Sequence, residues 1–155
     1  IILLADKVIV HNKFSKKELI KDKINLKKIS IIPHGHYLDF IEPKTNKIVA
    51  KKKFGLQNKK VIMFFGMIKE EKGLDILIKS FHEVHKNNKD VVLFIAGKNY
   101  KTDNKKYTKI IDQLDLKNSC VIHNKYIPEN ELCDYYGCAD VIVLPYKLIF
   151  QVVYS

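Results

Sequence analysis

From residue 60 onward the chain alternates short apolar runs with stretches of helical periodicity. The runs are Val61–Phe65 (VIMFF), Val91–Ala96 (VVLFIA), Cys120–His123 (CVIH) and Asp140–Leu144 (DVIVL). They are too short for helices and rich in residues that suit strands. Between the first two, Leu74, Leu77, Ile78, Phe81 and Val84 recur at spacings of three and four, predicting a helix from Gly73 to about Lys86. Tyr107, Ile110, Ile111 and Leu114 repeat the pattern within Asp103–Leu114, and Pro128 starts a third helix through about Tyr136. Strand, helix, strand, helix, strand, helix, strand predicts an α/β fold, a parallel sheet with helices on both faces. The strands are apolar at successive positions, as strands covered on both sides must be.

In such a sheet ligands bind beyond the carboxyl ends of the strands. That directs attention to Gly66–Lys72, Gly97–Tyr100, Asn124–Pro128 and Pro145–Lys147. Gly66 ends the first run, Met67–Lys72 carries two lysines, and Gly73 opens the helix. The turn suits a bound phosphate. Glycine lets a ligand approach the backbone, a helix start offers amide donors at its positive end, and a lysine adds mobile charge. Spacing alone fits equally an ordinary strand–helix connection with solvated lysines.

The first part of the chain is less regular. Asp6–His11 reads as a strand and Phe14 to about Lys23 as a helix, with Ser15 as N-cap and Glu18 completing a capping box. Ile29–Ile32 is a further short apolar run, ended by Pro33-His34-Gly35. Residues 36–46 read as irregular, and Lys47–Phe54 as a short basic helix closed by Gly55. Val141–Leu144 is expected in the middle of a sheet; as the last strand written, it would form an exposed apolar edge.

With 155 residues and 46% hydrophobic content the chain has globular composition and suits one domain. No apolar run approaches the roughly eighteen residues that a spanning helix needs. Ile1–Leu4 is followed at once by Asp6 and Lys7, unlike a signal peptide. The net charge is +11, and all 28 basic residues are lysine. Abundant lysine, asparagine and isoleucine together point to AT-rich codon drift, which weakens a nucleic-acid reading of the charge. Base readers favour the arginine fork, absent here. Cys120, Cys133 and Cys138 match no zinc or redox spacing and read as free thiols of a reducing compartment. The Lys51–Lys53 run reads as a solvated helix face, with attraction to a membrane surface as a minor role. Lys98 reads as surface charge, and the histidines at 11, 34, 36, 82 and 85 as structural or loop residues.

Five runs in order resemble one family: ADKVIVHNKFSKKEL at the start, ISIIPHG at 29–35, VIMFFGMIKEEKGLDILIKSF at 61–81, VVLFIAGK at 91–98 and YIPENELCDYYGCADVIVLPY at 126–146. They resemble the family 4 retaining glycosyltransferases, enzymes with two facing Rossmann-like domains (the GT-B fold). The resemblance implies an incomplete half of that fold and a piece of a larger protein. Residues 1–30 would be the remnant of the amino-terminal, acceptor-binding domain with its linker, and 31–155 a partial donor-binding domain. The implied reaction transfers a sugar from a nucleoside diphosphate sugar to an acceptor with retention, in polysaccharide or glycan biosynthesis. The implied place is cytoplasmic, at a membrane face where the acceptor is lipid-linked. The nucleoside diphosphate sugar is a co-substrate; no cofactor and no metal are implied.

By the same resemblance Gly66 is the turn glycine and Lys72 the family's diphosphate lysine. The usual arginine after the glycine is replaced by Met67, so Lys69 is expected to supply the second charge, less directionally than an arginine. Tyr126, Ile127 and Pro128 match the segment whose backbone meets the nucleotide base, though Lys125 stands where a glycine is usual. The acidic pair expected after the fourth strand is absent, and Gln151 alone matches a related subgroup. The catalytic groups are unassigned, so this chain alone is expected not to turn over; its acceptor, glycan or lipid-linked, would bind through the missing domain. Two other readings stand beside this one: a non-catalytic nucleotide-binding or interaction module derived from the family, and a basic nucleic-acid-binding domain.

Overall fold

The computed structural model describes residues 4–35, 46–100 and 104–147. The expectations for His36, the 36–45 stretch, Asp103 and Gln151 lie outside the described residues. The chain divides into two compact units, one within residues 4–35 and one within 46–147.

The first unit is a β–α–β arrangement: β1 (Val8–Val10), α1 (Lys13–Lys21) and β2 (Ile29–Ile31). The strands pair in parallel, Val8 opposite Ile29 and Val10 opposite Ile31. Val10, Ile24 and Ile29 form its small core, with Val8 and Leu19 against them. The cap differs from the Ser15 expectation. Asn12 caps α1, its Oδ1 accepting from the Ser15 amide at 2.8 Å. Asparagine accepts as well as serine, and it stands where the extended chain turns. Glu18 instead accepts from Lys21 Nζ at 2.7 Å. His11 has a partner that the sequence did not suggest: its Nδ1 donates to the Ile32 carbonyl at 2.9 Å, and its ring stacks on His34 with centroids 3.6 Å apart.

The second unit begins with α2 (Lys47–Lys53), followed by β3 (Lys60–Phe65), α3 (Leu74–Asn87), β4 (Val91–Ala96), α4 (Asn104–Gln113), β5 (Cys120–His123), α5 (Leu132–Cys138) and β6 (Val141–Ile142). All strand pairs are parallel and the order is β5-β4-β3-β6. The order therefore reverses between β3 and β6. In doubly wound sheets that reversal opens the crevice where ligands sit.

Both faces of this sheet are packed. On one, Phe64, Leu93 and Ile95 meet Leu74, Leu77, Ile78 and Phe81 of α3 and Tyr107 and Ile111 of α4. On the other, Val61, Met63, Val92, Phe94 and Ala96 meet Ala50 of α2 and Tyr135 and Cys138 of α5. Every residue of β4 is buried. This explains the continuous apolar runs, and burial of a side chain such as Phe81 or Phe94 contributes about 1.5–3 kcal/mol.

Two elements are shorter than expected. Pro128 is extended and leads into a 3-10 turn, Glu129–Glu131, so α5 starts only at Leu132. β6 is two residues long and lies at the edge among the described residues, with Val141 54% exposed. It pairs with β3 alone, and Asp140 before it is drawn to other partners. Its carboxylate accepts from the Val61 amide, Lys51 Nζ and Lys47 Nζ, each at 2.7 Å. Lys53 pairs with Asp134 of α5. The lysine run of α2 is therefore stitched to the start of β6 and to α5, not solvated throughout.

Candidate functional site

The loops leaving β3, β4, β5 and β6 converge at the carboxyl edge of the sheet. The β3 and β4 loops extend the sheet by one irregular rung, Ile68 opposite Asn99. The Ile68 amide donates to the Lys98 carbonyl and the Tyr100 amide donates to the Ile68 carbonyl, both at 3.0 Å. Ile68 is 3% exposed and packs into the core, which anchors the loop. The Asn99 amide donates to Asn124 Oδ1 at 2.9 Å, which ties the β5 loop to the β4 loop. Gly97 lies against the Gly66 carbonyl, leaving 2.0 Å where a β-carbon would stand. Gly66 itself faces open space, with nothing within 4 Å of the position of a β-carbon.

Lys69 precedes a 3-10 turn in this loop, Glu70–Lys72, and Lys72 is its last residue. The turn takes up the amides of Lys72 and Gly73, which donate to Lys69 O and Glu70 O. The lysine side chains, more than those two amides, are the loop's groups for an anion. Lys69 Nζ lies 4.9 Å from the Tyr100 ring centroid and 3.7 Å from Glu71 Oε1. Lys72 Nζ donates to the Tyr146 hydroxyl and lies 4.1 Å from the centre of its ring.

Residues 145–147, after β6, are docked on the same loop. The Lys147 amide donates to Glu71 O at 3.0 Å, and Lys147 Nζ donates to Asp75 Oδ2 at 3.1 Å. The β3 loop and the β6 loop therefore meet where the strand order reverses. The other Asp75 oxygen, Oδ1, is buried without a hydrogen-bond partner among the described residues. Burial pushes the Asp75 carboxyl up, but the hydrogen bond and charge of Lys147 outweigh it and hold the group below its ordinary range. Lys106 donates to Glu70 at 2.8 Å and lowers that carboxyl too. Among the described residues of the β3, β4 and β6 loops and the starts of α3 and α4 there are three carboxylates, Glu70, Glu71 and Asp75, and six lysines, 69, 72, 98, 105, 106 and 147. The balance is positive, which suits a phosphorylated ligand.

Tyr126, Ile127 and Pro128, expected from the resemblance to meet a base, lie on the neighbouring loop. Tyr126 is 71% exposed, while Ile127, at 8%, is anchored in the core beneath it. Pro128 after them is half-buried. Beside them Lys125 donates to Glu131 at 3.0 Å. His123, at the end of β5, shares a 2.9 Å hydrogen bond with the Tyr135 hydroxyl. It stands edge-on to Phe94, and burial lowers its pKa, helped by the charge of Lys125 and opposed by Glu131.

Among the described residues no three His, Cys, Asp or Glu side chains are grouped to hold a metal ion. No described helix is long and apolar enough to cross a membrane. Sequence reasoning named Gly66, Lys69 and Lys72, and the structure holds them in one loop, with Tyr126–Pro128 on another. It also marked Gly97–Tyr100 and Pro145–Lys147 as loops at the ligand edge, but it assigned no role to Tyr100, Tyr146 or Lys147 and missed Asp75.

Residues 46–148 match the family described as "Glycosyl transferases group 1". Over 96 residues the chain is 33% identical to YtcC of Bacillus subtilis (strain 168), named as a candidate glycosyltransferase; the match covers 60% of this chain and 24% of YtcC. The chain thus spans about a quarter of the curated relative that it matches. The solved structure of Anabaena Alr3699/HepE in complex with UDP superposes with a TM-score of 0.77 at 17% identity, covering 92% of this chain and 38% of that one. A glycosyltransferase of Rickettsia africae ESF-5 gives 0.74 at 21% identity, covering 93% and 39%. At these identities the superpositions speak to fold, and the fold is that of part of a GT-B enzyme.

Proposed function

The chain belongs to the group 1 glycosyl transferases, and from that premise we propose that its second unit is the donor half of a nucleotide-sugar-dependent enzyme of the family 4 type. The observation that carries this reading is the pair Lys69 and Lys72, held in one loop beside Gly66 where the strand order reverses. The donor diphosphate lies over Gly66 between these lysines, and the base lies along Tyr126–Pro128. As the sugar–phosphate bond breaks, negative charge grows on the departing diphosphate. Lysines positioned there stabilise that charge more than they stabilise the intact donor. The sugar passes to a glycan or lipid-linked acceptor with retention at the anomeric carbon.

The acceptor and the remaining catalytic groups belong to parts of the protein outside this chain, which alone does not turn over. In this reading 1–30 belongs to the acceptor-binding half with its linker and 31–155 to the donor half, and the enzyme works in the cytoplasm, at a membrane face where the acceptor is lipid-linked. A non-catalytic donor-binding module is favoured by one observation: Met67, 47% exposed, stands where the family's arginine is usual.

The test is a thermal shift of the chain with UDP, GDP and ADP, beside Lys72→Ala and Lys69→Ala. HepE was solved with UDP, so UDP is the first choice. A ligand at one hundred times its dissociation constant adds about 2.7 kcal/mol of stability. A charge-assisted hydrogen bond is worth about 1.5–3 kcal/mol, so Lys72→Ala weakens binding by about ten- to a hundredfold and Lys69→Ala by less. A folded chain that responds to no nucleoside diphosphate overturns the donor-site reading.

A further inference from the structure

We propose that Tyr146 is the positioning residue for Lys72, holding its ammonium at the mouth of the β3 loop with donors left for a diphosphate. The inference rests on the donor-site reading and assigns a residue that the reading does not use. It comes from how the loop's charges are shared out. Glu70 is taken by Lys106, Glu71 lies nearest Lys69, and Asp75 is taken by Lys147. Lys72 has no carboxylate partner among the described residues; its ammonium rests on a neutral phenol and on the face of that ring.

This partner suits a ligand-binding cation. An ammonium has three donors, and the Tyr146 hydroxyl occupies one. A bond to a neutral acceptor competes weakly with phosphate, whereas a carboxylate would compete strongly. A lysine side chain left unheld loses much rotamer freedom on binding, so fixing it beforehand lowers the cost of capture. Tyr146 can serve because its own place is set by backbone. Its amide donates to the Leu144 carbonyl at 2.9 Å, Pro145 before it abuts Gly73, and Lys147 after it donates to Glu71 O. It is 53% exposed, so a ligand can reach the pair.

The test compares the full chain with Tyr146→Phe and Tyr146→Leu, alone and in a Lys72→Ala background, once circular dichroism shows that each is folded. UDP binding is measured by calorimetry and uridine binding by NMR titration. The expected result is about threefold weaker UDP binding for Tyr146→Phe and about tenfold for Tyr146→Leu, with uridine unchanged. In the Lys72→Ala background neither substitution has a further effect. A structural role alone would weaken UDP and uridine alike and would persist without Lys72; that result overturns the proposal, as does unchanged UDP binding in Tyr146→Leu. Carbon-13 lysine labelling adds a readout without ligand. The Lys72 ε-methylene is shifted upfield by the Tyr146 ring in the wild type and not in Tyr146→Leu, and an unshifted methylene in the wild type overturns the proposal. A wild-type chain that binds no UDP overturns the donor-site reading itself, whereas a wild type that binds UDP with indifferent Tyr146 variants overturns only this assignment.

Discussion

A β-carbon on Gly73 would stand 2.0 Å from the carbonyl oxygen of Pro145. The contact joins the helix start that follows Lys72 to the segment that carries Tyr146. Gly73 also has φ of +68°, a left-handed conformation that L side chains adopt at a cost of about 1 kcal/mol. Gly73→Ala adds that strain to a clash with backbone that no side-chain rotation relieves. The expected loss is above about 2 kcal/mol, a drop in Tm of roughly 4–8 °C for a chain of this size. Gly35→Ala, where a β-carbon meets nothing within 4 Å, leaves the melt unchanged. Circular dichroism melts of the two variants decide it; equal melts would show that the β3 and β6 loops are not locked at this point.

Asp140 is the second lock between the start of β6 and the rest of the unit. Burial raises its pKa, but hydrogen bonds from Lys47, Lys51 and the Val61 amide outweigh that and hold the carboxyl well below the usual carboxylate range. A depressed carboxyl stabilises the fold above its unfolded pKa, near 3.8, and that contribution is lost as the pH falls through and below it. Asp140→Asn keeps an acceptor for Val61 but loses the charge that both lysines pair with. The expected loss is about 1–3 kcal/mol at pH 7, because the site is only partly shielded from solvent. Urea denaturation at pH 7 and at pH 3 checks it: the gap between variant and wild type should shrink at the lower pH.

The parallel sheet was legible in the sequence because both its faces are covered, which made β3 and β4 continuous apolar runs of the right length. Gly66 and the lysine loop were legible because a strand-ending glycine before a helix start is a local pattern. The contacts that complete the candidate site are not local. Tyr146 and Lys72 are 74 residues apart, and they meet only because β6 lies beside β3 and not beside β5. Strand order depends on which crossovers the packing accepts, and no short window of sequence carries it. The lysine run of α2 misled for the same reason, since Lys51 and Lys53 find Asp140 and Asp134 across the fold. The Ser15 cap was a closer miss. Two acceptable capping residues stand three apart, and the exit of β1 selects Asn12.

The thiols should separate by burial. Burial pushes Cys120 up to about 12 and Cys138 up to about 11, so neither carries appreciable thiolate at pH 8. The folded chain should react with a thiol reagent at Cys133 first, and the unfolded chain at all three cysteines. Mass spectrometry after brief alkylation, with and without urea, gives the order. Rapid labelling of Cys138 in the folded chain would mean that the α5 face of the core opens readily.

His123 gives the fold a pH dependence in the range where most enzymes work. The imidazole lies among Phe54, Phe94 and Tyr135, and its hydrogen-bond partner is the Tyr135 hydroxyl. The charged groups that act on it are Lys125, which disfavours protonation, and Glu131, which favours it. Burial is the largest effect, and the folded pKa lies below 6.5. The unfolded chain therefore takes up a proton at a pH where the folded chain still refuses it. Stability contributed by the neutral ring is complete above about 6.5 and is lost as the pH falls from there towards the folded pKa. His123→Gln keeps a neutral polar partner for Tyr135 and removes the titration. The wild-type Tm should fall more steeply than that of His123→Gln between pH 7.5 and 5.5, the five other histidines being common to both chains. Parallel melting curves would mean that His123 protonates as readily in the fold as outside it. The aromatic cluster under the end of β5 would then be open to water, and the adjoining Tyr126–Pro128 segment would rest on a softer base than its packing implies.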